Sequence, residues 1–501
     1  MMQRRGAAEA AGWGAALALA LIAVAVVATT SSWLLYRDGD SVLVALMADS
    51  LRRGDEQDWA LSPVLFLPET AVYGALSFLG LGTNGTLTLN AVLNLLAVYG
   101  GIRLVAGRFR PESRPVRPVR GSVLAFAAFV ALIVLDGPEG TPGLHLALLT
   151  ATTTYYSATV VGTLVVAGLL RRLLDGAALL RMIPAIVLVV AASTLTNPLF
   201  VVWCVVPVLG VAGILLLARR IAPRLAFASL LSVAGAAAVG YLLRVPFAGS
   251  IVAAGGNYLR PDQAGAALAH LAEVSGATVS RWNGVLWFAA VLALFVACVV
   301  VGLRAWIRRD VAVIAVAALA VSAPIAATVL VVVAGTDADR YLQPWVFLPV
   351  LALAVAPPAV SVRRAVGATL ACALVVGGVV SVPVAIAAAG REDADLTCVT
   401  RWVEQSGRIG AGQFWTVRAP KLALADPSQL VQVDHTLRPY DWLVNRAEDR
   451  GPVTFLVKDA ASAPFELPTG ISTSDATPLA CGRYTILDFG SRVLPLGEPR
   501  N

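Results

Sequence analysis

Long apolar runs separated by short polar turns fill the first 390 positions, after which the chain alternates apolar and polar residues like an ordinary soluble domain. A helix of about 18 to 25 apolar residues can cross a ~30 Å hydrocarbon core, and about eleven such windows occur. They centre near residues 24, 96, 130, 160, 190, 209, 234, 294, 323, 352 and 377. The pattern predicts a polytopic α-helical membrane domain over 1–390 and a soluble domain over 391–501. In that tail, β-rich runs at 413–417, 430–433, 453–457 and 484–489 alternate with helical patterns at 399–405 and 440–446, which predicts a small α/β unit.

Composition agrees with the pattern. Apolar residues make up 58% of the chain and charged residues 14%, with mean hydropathy +0.77, so most of the chain cannot be a soluble globule. No basic stripe lies beside aromatic residues, which argues against a nucleic-acid partner. The net charge of +7 is better read as topology. With Arg4 and Arg5 in the cytoplasm, alternation of the spans puts Arg103, Arg108, Arg110, Arg114, Arg117, Arg120, Arg171, Arg172, Arg181, Arg219, Arg220, Arg224, Arg304, Arg308, Arg309, Arg363 and Arg364 on the same side. Only four carboxylates (Glu9, Glu112, Asp175, Asp310) join them. The opposite side of the membrane region holds seven arginines against 13 carboxylates, so the positive-inside rule predicts an N-in, C-out chain.

The apolar stretch 61–81 tests this count, because admitting it as a span would turn every later arginine cluster outward. Pro63, Pro68 and Glu69 suit a re-entrant or interfacial helix shielded by protein. The first window, 13–36, follows two arginines but is too long for the core of a cleaved signal peptide, so a retained signal anchor is expected.

Three of the five cysteines (Cys204, Cys298, Cys372) fall within expected spans as small apolar residues. Cys398 and Cys481 bracket the tail, and a disulfide between them is expected in an oxidising compartment. The absence of CxxC, HExxH and His-rich clusters leaves zinc and haem without support. There is no P-loop, and no cytoplasmic loop is large enough for a nucleotide-sugar domain.

The candidate chemistry lies in the outer loops. The loop at 37–60 opens with Tyr36-Arg37-Asp38-Gly39-Asp40-Ser41 and continues into a helical stretch over 42–53. Gly39 lets the backbone turn tightly, and a partly desolvated carboxylate at the bilayer boundary is raised toward the range of a general base. A plain polar turn after a span gives the same three residues.

This order of elements resembles the GT-C superfamily, integral-membrane glycosyltransferases that use polyprenyl-phosphate sugars, including protein mannosyltransferases and aminoarabinose transferases. The matching residues are Asp40-Ser41, where the family commonly has Asp-Glu, then 45–54, 63–80 and 90–108. Ser41 departs from the commonest form and leaves open whether Asp38 or Asp40 is the base; Asp40 is preferred. A second match, Asp339-Arg340-Tyr341, resembles the family's Arg-Tyr element at the start of a late span.

The resemblance implies an inverting transfer of a sugar from a polyprenyl-phosphate donor to an envelope glycan, lipid or protein. The expected place is the outer face of a bacterial cytoplasmic membrane. Arg340 and Tyr341 would hold the donor phosphate, since a guanidinium binds a poorly hydrated phosphate bidentately. An interfacial anchor accounts for the same Arg-Tyr pair. Arg260, in the long outer loop 248–283, is a second candidate for the phosphate. Glu69, His145 and Asp339 are further cavity candidates. His270 and His435 also fall on the outer side. A divalent cation is compatible with the reaction, though no ligand set singles out a metal site.

The rival class is a flippase or exporter of a lipid-linked saccharide, or a non-enzymatic envelope-assembly protein. Spans nearly free of charge and without an internal repeat count against transport. Abundant Ala, Arg and Val with only two lysines point to a GC-rich bacterial genome such as that of an actinobacterium.

Overall fold

The computed structural model describes residues 2–107, 117–138, 140–252, 259–358, 364–448 and 451–500. Arg108, Arg110, Glu112, Arg114, Arg363 and the 255–258 stretch of the long outer loop lie outside the described residues, as do the side chains of Arg4, Arg117 and Arg364.

Apolar runs become helices because backbone groups in lipid must bond within their own segment. The first half of the chain forms α1 (Met2–Thr30), α2 (Ser32–Tyr36), α3 (Leu43–Arg53), β1 (Trp59–Ala60), α4 (Leu67–Ser77), α5 (Gly82–Val105), α6 (Arg117–Leu135), α7 (Ser157–Leu174), α8 (Leu179–Thr196), α9 (Val206–Leu217) and α10 (Pro223–Leu242). Then come α11 (Ala264–Val279), α12 (Trp282–Arg308), α13 (Val311–Ala334), α14 (Pro344–Phe347), α15 (Leu351–Val355) and α16 (Arg364–Ala389). The tail adds α17 (Ala394–Ser406), β2 (Ile409–Gly412), α18 (Phe414–Ala423), β3 (Leu430–Gln432), β4 (Val444–Asn445), β5 (Val453–Lys458), β6 (Thr477–Cys481) and β7 (Tyr484–Asp488).

Among the described residues, nine helices are long and apolar enough to cross a membrane: α1, α5, α6, α7, α8, α10, α12, α13 and α16. The protein is a helical membrane protein. Two of the eleven expected windows are not long helices. The window near 209 is a shorter apolar helix, Val201–Leu217, whose first turn is π-helical. The window near 352 is broken into the short α14 and α15. Pro349, between them, has no N–H to continue a helix, and Pro357 and Pro358 follow. The stretch 61–81 holds only α4, whose 11 residues reach roughly 16 Å, well short of a bilayer core.

The chain divides into two compact units. The first comprises Met1–Ser31, Thr88–Val245 and Tyr258–Ala388, and carries the long helices packed as α1 on α6, α7 on α8, α8 on α10 and α12 on α13. Leu180, Leu188, Leu217, Ile307 and Leu370 are exposed on it, as side chains facing lipid tails would be.

The second unit comprises Ser32–Leu87, Pro246–Asn257 and Ala389–Asn501, so the acidic loop 37–60 belongs with the tail. Its five-stranded sheet runs in the order β3-β2-β5-β7-β6, with β2 parallel to β3 and β5, and β7 antiparallel to β5 and β6. Both faces are covered. Phe455 and Val457 of β5 pack with Val399, Val403 and Val417, while Leu456 packs with Val431, Leu437 and Leu487. A strand buried on both faces reads as a continuous apolar run, which is why 453–457 is legible. Strand β2 is not, because its Gly410 is small for a reason outside the strand. A Cβ there would lie 2.0 Å from the Phe455 ring.

Two local expectations fail. Residues 413–417 begin α18 rather than a strand, and 440–446 are extended and turning, with β4 pairing antiparallel to β1 of the outer loop. That pairing sets Trp59 opposite Asn445 and outweighs the local helical pattern.

Cys398 on α17 and Cys481 at the end of β6 form a disulfide, closing a sequence separation of 83. Loop-closure entropy gives such a bond roughly 4 kcal/mol. Replacing both cysteines with serine should therefore lower the unfolding free energy of the tail by that order and move its denaturant midpoint down, read as protease susceptibility of the full-length protein against urea. An unchanged midpoint would leave the bond without a stabilising role.

Candidate functional site

In the second unit the acidic turn is built from its own backbone. The N–H groups of Arg37 and Asp38 both donate to the Trp33 carbonyl. The Asp38 Oδ1 then accepts the N–H groups of Asp40 (3.1 Å) and Ser41 (3.2 Å), so Asp38 shapes the turn that leads into α3. Gly39 meets α18 at close range: a Cβ would lie 2.9 Å from the Phe414 ring and 3.1 Å from Trp415.

Arg418 of α18 lies against the same turn and is 1% exposed. Its Nε donates to the Gly39 carbonyl at 3.0 Å, its Nη1 to the Leu443 carbonyl, and its guanidinium lies 5.1 Å from the Phe414 ring centre. Burial pushes the guanidinium down to about 10, against the attraction of Asp40, then Glu448, then Asp38, and leaves it charged at neutral pH. Lys421, three residues on, is also buried and pairs with Glu448 at 2.5 Å while donating to the carbonyls of Pro427 (3.1 Å) and Leu430 (2.8 Å). Burial pushes its ammonium down and Glu448 opposes the shift. Tyr440 is raised by burial, against the pull of Arg500, and Asp40 raises it further.

A cleft of about 370 Å³ in this unit is lined by Arg53, Asp55, Glu56, Asp426, Asn445 and Glu448. Glu69 is buried in the first turn of α4, where the helix dipole favours a carboxylate.

Neither Arg418 nor Lys421 was foreseen from sequence. The available signal was two cations three apart on a short, otherwise mostly apolar helix, one of them among only two lysines in the chain. Buried cations require partners, and for Arg418 one of them, Gly39, is far away in sequence.

In the first unit Arg340 sits in a short 3-10 turn, Asp339–Leu342. Its Nε donates to the Tyr156 hydroxyl at 3.0 Å. The Tyr156 ring meets Trp203 edge-on (5.9 Å) and Tyr341 at a tilt (6.0 Å), and the Trp203 indole N–H donates to the Tyr341 carbonyl at 3.1 Å. The structure thus brings Arg340 and Tyr341 together and adds Tyr156 and Trp203. Tyr156 caps α7 at φ 67, a left-handed conformation that strains an aromatic residue. The sequence hint was the run Thr152-Thr153-Thr154-Tyr155-Tyr156, too polar for the mouth of a span.

Asp339 pairs with His270 at 3.2 Å; burial raises its carboxyl and His270 opposes that. The Arg260 side chain is exposed, while its backbone N–H donates to the Ala334 carbonyl at 2.9 Å.

His145 belongs to a different network of the first unit. Its Nε2 lies 2.6 Å from the Thr141 carbonyl, and burial pushes the imidazole down. The loop around it is pinned to the α11–α12 junction. Thr278 accepts the Leu144 N–H (2.8 Å), Arg281 donates to the Thr141 hydroxyl (2.5 Å), and Asn283 to the Leu135 carbonyl (3.0 Å). Asp136, just past the end of α6, takes the Leu148 N–H at 2.7 Å and is 2% exposed. Desolvation raises its carboxyl well above the ordinary range, against the Leu148 and Ala147 amides and Arg281.

Among the described residues no group of three or more His, Cys, Asp or Glu is placed to hold a metal ion.

An acid raised by folding adds stability at low pH that is lost as pH climbs past its unfolded pKa of about 3.9. Asp136 should therefore cost wild type thermal stability relative to Asp136→Asn as pH rises from about 4 to 8. Melting curves of both proteins in detergent check this, and a pH-independent difference would remove Asp136 as the cause.

Comparison of the chain with protein-family models, with curated proteins and with solved structures finds no match.

Proposed function

We propose that the chain is a GT-C-type glycosyltransferase of a bacterial cytoplasmic membrane, transferring a sugar from a polyprenyl-phosphate donor to an envelope glycan, lipid or protein on the outer face. The observation that carries this reading is the seat of Arg340. A half-buried guanidinium that donates to the Tyr156 hydroxyl and lies 6.0 Å from the Tyr341 ring centre has a fixed direction, which suits recognition of a lipid phosphate.

The topology belongs to the same reading. The arginine turns stay on one face only if Val201–Leu217 and the broken stretch holding α14 and α15 also cross, which restores about eleven crossings with the N-terminus inside and the tail outside. The helix at Val201–Leu217 is about 26 Å long, near the thickness required.

The chemistry assigned to Asp40 is that of a base or acceptor-orienting carboxylate. It takes the proton of the acceptor hydroxyl as that oxygen bonds to the anomeric carbon, and the polyprenyl phosphate leaves with the electrons of the broken C–O bond. Asp38, occupied by two backbone amides, supports the turn instead. The polar cleft lined by Asp55, Glu56, Asp426 and Asn445 offers carboxylates and an amide to the hydroxyls of an acceptor, and its acidity disfavours an anionic one.

The test is transfer from a radiolabelled panel of polyprenyl-phosphate sugars into membrane acceptors at matched expression. Asp40→Asn should lower transfer about 10²- to 10⁴-fold and Arg340→Ala about 10²- to 10³-fold. Asp38→Asn, which keeps an oxygen acceptor for the turn, should lose far less. Wild type inactive with every donor, or full activity in both strong variants, would overturn the assignment.

A further inference from the structure

We infer that Arg418 is a positioning residue for Asp40, so that the tail domain sets the geometry and charge of the acidic turn. The inference rests on the glycosyltransferase reading for its activity readout, and on geometry for the rest.

Three observations carry it. The guanidinium bridges two backbone carbonyls far apart in the chain, Gly39 between the two aspartates and Leu443 in the tail, and so fixes the turn to α18. The residue is 1% exposed, and among the described residues its Nη2 makes no hydrogen bond, so a guanidinium is kept in a place where the protein does not satisfy it completely. A purely structural position would tolerate an apolar side chain better than this one. Finally, Gly39 has no room for a Cβ against Phe414 and Trp415, and the Arg418 Cγ lies 3.4 Å from where one would be, which brings the turn close enough for direct hydrogen bonding.

The charged groups around Asp40 come from several elements. Arg37 and Asp38 lie on its own turn, Arg418 on α18 and Tyr440 in the tail both interact with Asp40, and Arg418 in turn interacts with Glu448, just after β4, which pairs with Lys421. Arg418 donates directly to the turn, at the Gly39 carbonyl. Its charge favours the ionised carboxylate that the reaction requires, while its two carbonyl contacts hold the backbone that presents it.

The experiment uses the full-length protein in detergent with Arg418→Met, Arg418→Lys, Asp40→Asn and the Met–Asn double variant. Protection of the Cys398–Cys481 bond from reduction and alkylation reports whether the tail is folded. With an active donor, Arg418→Met should lower kcat at least tenfold with little change in donor KM, and move the acid limb of the pH–rate profile upward by about one unit. Arg418→Lys, which keeps the charge, should restore the acid limb while recovering only part of kcat.

A Met variant with a folded tail and an unmoved acid limb would overturn the inference. If wild type transfers no sugar from any donor, the enzymatic reading fails and thermal unfolding decides the positioning claim. The double variant should then be non-additive by at least about fivefold in the unfolding constant, and additivity would overturn it.

Discussion

A guanidinium taken out of water costs several kcal/mol unless oppositely charged groups and hydrogen bonds replace the lost hydration, and the second unit is organised around that requirement at Arg418. The carbonyls of Gly39 and Leu443 and the charge of Asp40 supply the replacement, and they come from opposite ends of the chain. Other links repeat the arrangement. Arg37 pairs with Asp393 at 3.2 Å, Asn445 receives the Asp58 N–H at 3.1 Å and donates to the Glu56 carbonyl at 2.7 Å, and Leu61 donates to the Ser250 carbonyl at 2.6 Å. The unit is thus joined from three separated segments by polar contacts, and its sheet supplies the apolar core on which they rest.

How much of this the sequence discloses depends on whether a property is local. Continuous apolar runs at α1, α12 and α13 mark helices without ambiguity, because lipid imposes one backbone solution on them. The windows near 209 and 352 have the same hydropathy, but a π-turn in one and Pro349 in the other interrupt the regular helix, and a window average does not register either. In the tail, β5 and β7 are legible as apolar runs, whereas β2 is hidden by Gly410, which makes way for Phe455, and Gly412, which lies against Val417 and Val457. The error at 413–417 has a similar origin. Phe414, Trp415 and Val417 have strand preference, but α18 turns them toward the sheet and toward Gly39, so tertiary packing overrides propensity.

The candidate sites divide in the same way. The acidic spacing drew attention to the Asp38–Asp40 turn, and the family resemblance to the Arg340–Tyr341 pair. Spacing could not show that the Asp38 carboxylate accepts two backbone amides of the turn. Tyr156 reaches Arg340, and Trp203 reaches Tyr156 and Tyr341, only through the packing of segments distant in sequence, and Asp136 becomes unusual only once the 141–148 loop folds over it. Arg418 and Lys421 look like surface cations until their burial is known.

The hydrogen bond between Arg418 and Gly39 spans 379 positions. At about 5 to 20 residues per second, the acidic turn is made roughly 20 to 75 s before its partner leaves the ribosome. Helix α16, the last long apolar helix among the described residues, ends at Ala389, so in sequence terms the helices that can span precede α18. A nascent chain ending anywhere between Ala389 and Phe414 would carry every spanning helix and yet leave Asp38 and Asp40 facing water. Membrane integration and maturation of the acidic turn are therefore separate events in the biogenesis of this protein, with the translation of the tail between them.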